Sequence, residues 1–401
     1  METYLLDWVN LLLRWTHVIV AIAWIGASFY FVFLDNSLTP PEADDLKAMG
    51  VDGELWAVHG GGFYHPQKYL VAPNTLPEHL HWFYWESYST WLSGFGLYVV
   101  LYLFNPGNFL IDRNVHDWQP AMAVLAALGF LAAFWVVYDQ LCRFFGEKDG
   151  QVGGDAKVGA LVFVYVIFAS WAMCQLFAGR AAFLMVGAMM ATAMSANVFF
   201  WIIPGQRKVI AQMKAGQPVD PVYGQRAKQR SVHNTYFGLP VLIAMLSNHY
   251  GWLYQAPHNW LVLVLLMLAG ALIRHSFVAR HKALVKGVRV PWEYAGAGTA
   301  LIVAVAIWLA PKPSAAMAAD TPPPTLAQVS AVVQQRCVLC HNAQVQNKNV
   351  ALHTPELIVQ HAQQMYQQAV VLKLMPMNNA TQITDDERAV IRRWFEAGAK
   401  P

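Results

Sequence analysis

The residues with the clearest chemistry lie near the carboxyl end of the chain, where two cysteines three positions apart precede a histidine. The segment Cys337-Val338-Leu339-Cys340-His341 has the spacing of a c-type haem attachment sequence. On one helical turn the two thiols can reach the two vinyl groups of a porphyrin, while His341 places its imidazole beneath the iron. A zinc site or a redox-active cysteine pair is the alternative, but this part of the chain supplies no clear further ligands. We therefore predict covalently bound haem c at Cys337, Cys340 and His341.

The patterns on either side of this motif predict a small helical domain at residues 325–401. A helical repeat of apolar residues precedes the motif, and a capping box at 384–387 begins a final helix that runs to Gly398. Between them, Met375 lies in a loop stiffened by Pro376. This order of elements is typical of a class I cytochrome c.

The loop methionine completes the predicted iron site. Met375 is the predicted sixth ligand, with Met377 as the alternative. His353 and His361 fit this role less well, because their pattern places them in surface helix or loop positions. A haem with histidine and methionine ligands has a raised reduction potential, so the segment is predicted to accept or relay electrons.

The composition of the chain indicates that residues 1–310 form a membrane domain. Of the 401 residues 56% are hydrophobic and only 13% are charged, whereas soluble domains carry about 25% charged residues. The formal net charge of +3 is small and scattered, which argues against a nucleic-acid partner. The predicted fold is an all-α polytopic bundle, because eight apolar stretches are long enough to cross a bilayer as helices: 8–34, 80–104, 119–141, 157–178, 182–203, 233–250, 259–279 and 292–310.

Basic residues in the connections predict the orientation of this bundle. The connections after the first, third, fifth and seventh stretches are rich in Lys and Arg, whereas the alternate connections carry only Arg113 and Arg180. Because basic loops stay in the cytoplasm, both termini are predicted to be periplasmic in a bacterial inner membrane. A proline-rich linker at 311–324 then delivers the carboxyl-terminal segment to the compartment in which haem is attached covalently.

Histidines inside the apolar stretches suggest a second redox centre. Two are placed on the periplasmic side, His17 and His249, and three toward the cytoplasmic ends of their helices, His81, His233 and His275. A membrane b-type cytochrome would show such tiers, because electrons do not cross about 30 Å of hydrocarbon in one step. One interpretation is therefore a bound b haem, with His17 and His249 as the first ligand pair to test. The other is that these histidines are interfacial residues bonded to backbone.

The connection between the first two stretches is long enough to have a function of its own. It contains three consecutive glycines at 60–62 among aromatic residues, and it runs into the second stretch. If that stretch is helical from its first residue, His81 and Trp85 share one face, and Trp82 and Glu86 share another. Either the glycines and rings let a planar ligand approach closely, or the rings form an interfacial belt.

Several long motifs of the bundle occur together: RWTH at 14–17, WIGASFY at 24–30, HGGGFY at 59–64, LHWFYWE at 80–86, HNTY at 233–236 and SNHY at 247–250. With them the chain resembles the bacterial membrane-bound urate oxidase family (PuuD type), in which an eight-helix domain precedes a cytochrome c domain. The resemblance therefore spans nearly the whole chain.

This resemblance implies an oxidoreductase of purine catabolism that oxidises urate to 5-hydroxyisourate and passes the electrons to the tethered haem. A respiratory oxidase or a soluble cytochrome c is the implied downstream partner. Urate is a planar anion, so its site needs a cation, an aromatic face and a base. For these three roles in turn, the candidates are Lys68 or Arg274, Trp82 or Trp85, and His81 or Glu86.

These candidates leave a gap, because they lie on the cytoplasmic side whereas the predicted haem c is periplasmic. Either redox centres inside the membrane bridge the gap, or a polar cavity opens higher in the bundle near His17 and His249.

Two other functions remain in view. The bundle could oxidise quinol or another small reductant and use the same haem relay. It could also only anchor a cytochrome, but an anchor needs one helix and no cluster of polar residues inside the bilayer.

Overall fold

The computed structural model describes residues 2–148, 150–310, 322–346 and 349–400, and these residues are mostly helical. The predicted linker 311–324 lies outside the described residues except for its last three positions. Up to residue 310 the helices are, in chain order, α1 (Glu2–Ser37), α2 (Asp44–Ala48), α3 (Trp85–Tyr98), α4 (Pro106–Phe109), α5 (Pro120–Gly146), α6 (Asp155–Leu176), α7 (Gly179–Ala196), α8 (Ile203–Lys214), α9 (Pro221–Leu246), α10 (Gly251–Tyr254), α11 (Asn259–Val285) and α12 (Glu293–Trp308). Two π-helical segments prolong α3 and join α7 to α8, and a 3-10 turn follows α9: Val99–Leu103, Asn197–Ile202 and Ser247–His249.

Five helical segments in the described part of the chain are long and apolar enough to cross a membrane: Tyr4–Ser37, Pro120–Gly146, Asp155–Leu176, Gly179–Lys214 and Asn259–Val285. Each of the eight predicted stretches lies largely in helix, but the second, sixth and eighth are not both long and apolar enough to cross a membrane, so eight crossings stay a prediction. Many large apolar side chains of α1 are exposed, as side chains that face lipid would be.

The start of α3 corrects the placement of two predicted site residues, His81 and Trp82. Because α3 begins at Trp85, His81 and Trp82 precede the helix and share no helical face with Trp85 or Glu86. The ring of Phe83 packs edge-on against Phe31 of α1, with 4.9 Å between centroids. This tertiary contact holds the segment before Trp85 beside α1, whereas the apolar pattern predicts that this segment is already part of the second helix.

Helix α9 begins well before the apolar stretch that starts at His233. Its first residue is Pro221, where the side chain of Asp220 accepts a hydrogen bond from the backbone N–H of Val222. His233 therefore lies midway along α9, at the start of its apolar half, and its depth in a membrane stays a prediction. The apolar pattern missed this start because the first three turns of the helix are polar.

In the described part of the chain, three two-stranded antiparallel sheets accompany the helices: β1 (Val51–Glu54) with β4 (Gln67–Tyr69), β2 (Ala57–His59) with β3 (Gly62–Tyr64), and β5 (Glu147–Lys148) with β6 (Gln151–Val152). Gly60 and Gly61 connect β2 to β3 with φ angles of 59° and 82°. Both angles lie in the left-handed region that favours glycine in tight hairpin turns. The turn accounts for these two glycines without a ligand.

Helix α7 lies at the centre of the bundle, where it packs on α3, α5, α6 and α9. Small residues permit this close packing: a Cβ atom at Gly187 would lie 2.9 Å from the Cβ atom of Ala244 in α9. The surrounding core contains fully buried aromatic and methionine side chains, including Phe134, Tyr138, Phe183 and Met189.

The carboxyl-terminal segment forms a separate helical unit of α13 (Leu326–Arg336), α14 (Pro355–Gln360), α15 (Ala362–Met365) and α16 (Asp385–Glu396). Its core joins Val329 and Val333 of α13 to Ile391 and Trp394 of α16. The capping box predicted at 384–387 is confirmed, and a second one, between Thr325 and Gln328, begins α13. The guanidinium of Arg336 binds the carboxylate of Glu387 at 3.0 Å and ties the two helices together.

Candidate functional site

A large cavity lies between the bundle and the carboxyl-terminal segment. Its volume is about 2410 Å³, and it is lined by α1, α3, α7 and α9 on one side and by residues between 336 and 381 on the other. Ligand pockets usually measure about 300–1,000 Å³, so this cavity has room for more than one bound group.

The cysteine motif lines this cavity. Both thiols are free, and the backbone N–H groups of Cys340 and His341 donate to the Cys337 carbonyl at 3.1 Å, which closes one turn. Burial raises the pKa of the Cys337 thiol to about 11, so a reactive thiolate is disfavoured. Among the described residues no three His, Cys, Asp or Glu side chains converge as they would on a bare metal ion. Burial of this thiol disfavours the redox-pair alternative.

The imidazole of His341 is fixed in one orientation. Its Nδ1 atom lies 2.9 Å from the carbonyl oxygen of Val350. A carbonyl oxygen only accepts hydrogen bonds, so Nδ1 carries the proton and Nε2 keeps its lone pair. Met375 and Met377 line the same cavity as His341. The ligands predicted for iron are therefore brought to one side of one cavity.

The loop before Met375 is docked on the bundle. The backbone N–H of Gly251 donates to the Leu372 carbonyl at 3.0 Å, and Gln255 donates through Nε2 to the Lys373 carbonyl at 2.7 Å. A Cβ atom at position 251 would lie 2.3 Å from the Lys373 oxygen, so only glycine fits there. Two further hydrogen bonds cross the interface, from Asn378 to Asn108 and from Gln382 to Asn114.

On the bundle side, a cation faces the cavity from the start of α7. Arg180 donates through Nε to Asn248 Oδ1 at 3.2 Å, and Tyr102 donates to the same oxygen at 2.8 Å. The guanidinium also lies over the ring of Phe109, 5.5 Å from its centroid. From the sequence alone, Arg180 contributes only to the predicted orientation of the bundle. The sequence signal that could have marked Arg180 as a site residue is its position as a basic residue at the start of an apolar helix, on the side of the bundle where basic residues are scarce.

An aromatic pair and two histidines complete the bundle wall. Trp91 and Phe95 stack at 5.1 Å with their planes 5° apart, and Trp91 donates to Thr192 at 3.2 Å. His17 from α1 and His249 from the turn after α9 both line the cavity, as the predicted pair required.

The six residues predicted to bind or oxidise the substrate lie elsewhere, and none of them lines this cavity. Three converge on the last turns of α1: Lys68 pairs with Asp35, Arg274 lies 3.7 Å above the ring of Phe29, and His81 packs on Phe83. Trp82 precedes α3, and Trp85 and Glu86 begin it. Burial and the nearby charge of Lys228 lower the pKa of Lys68.

A second group of polar residues is enclosed in the bundle, away from the cavity. Arg230 and Asp139 are buried and bind each other at 2.8 Å, and Trp201 donates to the same carboxylate oxygen at 2.7 Å. Beside them, the Tyr138 hydroxyl lies 2.8 Å from His233 Nδ1. His233 is therefore a partner within a buried network.

Comparison with known families adds one finding. Residues 3–310 match the family model described as Urate oxidase N-terminal, which covers the bundle and ends before the carboxyl-terminal segment. No curated protein and no solved structure matches the chain.

Proposed function

The chain belongs to the urate oxidase N-terminal family, and from this we propose its function. The chain oxidises urate inside a membrane, urate binds in the large cavity, and the electrons leave through haem c. The observation that carries this proposal is that Arg180 and the Cys337–His341 motif line the same cavity. A urate molecule bound there has a cation on the bundle side and an electron acceptor on the other.

The carboxyl-terminal residues fit a covalently bound haem. Cys337 and Cys340 present free thiols on one turn, and His341 keeps Nε2 available for iron. Met375 lines the cavity as the proposed sixth ligand, with Met377 next to it in the same loop. When bound, this haem accepts one electron at a time.

The cavity wall suits a planar anion. Arg180 donates through Nε to Asn248 and also bonds to the Tyr102 hydroxyl, and its guanidinium lines the cavity, where it can bind a urate oxygen or nitrogen. Trp91 offers the face of its ring from α3, where stacking on Phe95 and a hydrogen bond to Thr192 hold it. Oxidation of the urate monoanion with one water gives 5-hydroxyisourate, one proton and two electrons. Two one-electron reductions of haem therefore accompany each urate.

This location removes the gap between substrate and haem. The residues first considered for urate lie around the cytoplasmic end of α1, whereas the cavity borders the predicted periplasmic ends of α7 and α9. This gap has two explanations, and the structure supports the one in which a cavity opens near His17 and His249. The periplasmic location of the haem, and its delivery of electrons to a respiratory oxidase or a soluble cytochrome c, belong to the same proposal.

The test is to add urate without oxygen to the purified full-length protein and to follow the absorption spectrum of haem c. We expect two molecules of haem c to be reduced per molecule of urate, and dithionite added afterwards shows the full extent of reduction. Haem that stays oxidised with urate but is reduced by a quinol would replace this function with quinol oxidation. Haem that responds to neither would refute both.

A further inference from the structure

His17 lies near the middle of α1, and its imidazole is fixed against α3. Its Nδ1 atom lies 3.1 Å from the Thr90 carbonyl oxygen and 3.1 Å from Ser93 Oγ. Because the carbonyl only accepts, Nδ1 carries the proton and Nε2 keeps its lone pair. Among the described residues none forms a hydrogen bond with Nε2. The ring of His17 borders the cavity, so Nε2 remains available to a group bound there.

A glycine makes room for this imidazole. A Cβ atom at Gly94 of α3 would lie 2.8 Å from His17 Cε1, closer than side-chain atoms tolerate. Glycine in the interior of a helix is unfavourable relative to alanine, so a packing requirement is needed to explain it. The ring of His17 supplies that requirement. Thr90, Ser93 and Gly94 therefore act together to hold one histidine in one orientation.

The same arrangement occurs at His341 on the opposite wall. There too Nδ1 is bonded to a backbone carbonyl, that of Val350, and Nε2 is left for iron. Fixing the ring through Nδ1 is how proteins usually orient a histidine that binds a metal through Nε2. An interfacial histidine needs only a hydrogen bond to backbone, but His17 lies at mid-helix and contacts a different helix.

The surroundings of His17 match the chemistry of a porphyrin. The neighbouring cavity wall is apolar, formed by side chains such as Trp24, Ile25, Phe95 and Leu101. Arg14, one turn earlier on α1, also lines the cavity and can pair with a carboxylate such as a haem propionate. His249 is the other histidine that the bundle contributes to this cavity.

We infer that His17 would bind the iron of a second haem, held without covalent attachment inside the bundle, with His249 as the other candidate ligand. The cavity exceeds the usual volume of a pocket for one ligand, so it can take this group in addition to the covalent haem and a substrate. The inference does not depend on urate, because it concerns what the chain binds before any substrate is added.

The test counts haem by type in full-length protein matured in a host that attaches haem c. Acidified organic solvent extracts haem b but leaves covalent haem on the polypeptide. We expect one extractable haem per covalent haem in the unchanged protein and at least a tenfold loss of extractable haem in His17→Gly. Covalent haem retained in the same sample reports that the variant has matured. Added imidazole should restore the extractable haem, because it can replace the missing ligand.

The matched control is His116→Ala, which removes a histidine from a loop of the bundle that is not part of the cavity wall. This variant should keep both haems. An unchanged protein that carries only covalent haem would overturn the inference, as would a His17→Gly variant that keeps its extractable haem without imidazole. Neither result would affect the reduction of haem c by urate, so the two proposals fail separately.

Discussion

Two groups of polar residues lie inside the bundle, and they differ in how their bonding capacity is used. In the buried network around Asp139 and Arg230, which Asn197 joins by donating to the Tyr138 hydroxyl at 2.9 Å, the side chains bond mostly to one another. Among the described residues of this network, only Asn197 Oδ1 and Arg230 Nη1 lack a partner. Around the cavity, Nε2 of His17 has no hydrogen-bond partner among the described residues, and the guanidinium of Arg180 borders open space. Ionisable residues inside a membrane are costly and therefore often functional, and both groups contain such residues. A candidate site therefore differs from a structural network because its polar atoms can still bind a molecule in the adjoining space, and polarity alone does not separate the two.

The largest expected effect comes from breaking the buried network. Arg230→Met leaves the Asp139 carboxylate buried without its cation, which should destabilise the protein by about 3–5 kcal/mol. Thermal unfolding of the detergent-solubilised protein measures this loss. The double variant Arg230→Met with Asp139→Leu should recover much of it, because no charge is then left unpaired. A single variant that stays stable but no longer reduces haem c with urate would show that this network is functional, and the contrast would fail.

At the cavity, the expected effect is on turnover rather than stability. Arg180→Gln removes a charge-assisted bond to the urate anion, which is typically worth about 1.5–3 kcal/mol. The corresponding fall in kcat/KM for urate-dependent reduction of haem c is about 10- to 150-fold. Arg289→Gln is the matched control, because Arg289 is exposed and pairs only with Glu293 one turn away. Equal kcat/KM values in Arg180→Gln and the unchanged protein would place urate outside this cavity.

Weakening the docking contact should have an intermediate effect, on the position of the carboxyl-terminal unit. In Gly251→Val the new side chain meets the Lys373 carbonyl, and such overpacking costs about 1–3 kcal/mol. We expect slower reduction of haem c by urate and faster proteolytic release of the carboxyl-terminal unit, with unchanged reduction by dithionite. Gly129→Val serves as control, because a Cβ atom at Gly129 meets no atom within 4 Å. Release at the rate of the unchanged protein would mean that the contact does not hold the unit in place.

The sequence predicted best where its signals are local. The capping box at 384–387 begins α16 as expected, and the helical repeat before the cysteine motif became α13. Hydrogen bonds of these kinds join residues within a few positions of one another, so spacing alone reveals them. The same locality explains why the turn at Cys337 to His341 was expected and found.

The sequence predicted least where a distant contact decides. Arg180 depends on Asn248, which lies 68 positions away, and no periodic pattern joins the two. His81 was placed on a helix because its neighbours are apolar, yet the contact between Phe83 and Phe31 keeps the segment outside α3. His17 and His249 both line the cavity, and helix direction alone predicts both on one side of the bundle, but their role as a pair of iron ligands stays a prediction.

The smallest expected effect concerns the ion pair that holds the docked loop from its other side. Lys373 donates to Asp385 at 2.7 Å, and this hydrogen bond is the main reason that the pKa of Asp385 lies below its ordinary value of 3.8. Because the folded pKa is depressed, the pair stabilises the unit above that value and loses its effect as the pH falls through the folded pKa. The pair is partly exposed, so Lys373→Met should cost less than about 1 kcal/mol at neutral pH. Proteolytic release should be only a few-fold faster, whereas Lys47→Met, which removes an exposed pair with Asp44, should leave it unchanged. If Lys373→Met released the unit as fast as Gly251→Val does, the ion pair rather than the close fit at Gly251 would hold the loop on the bundle.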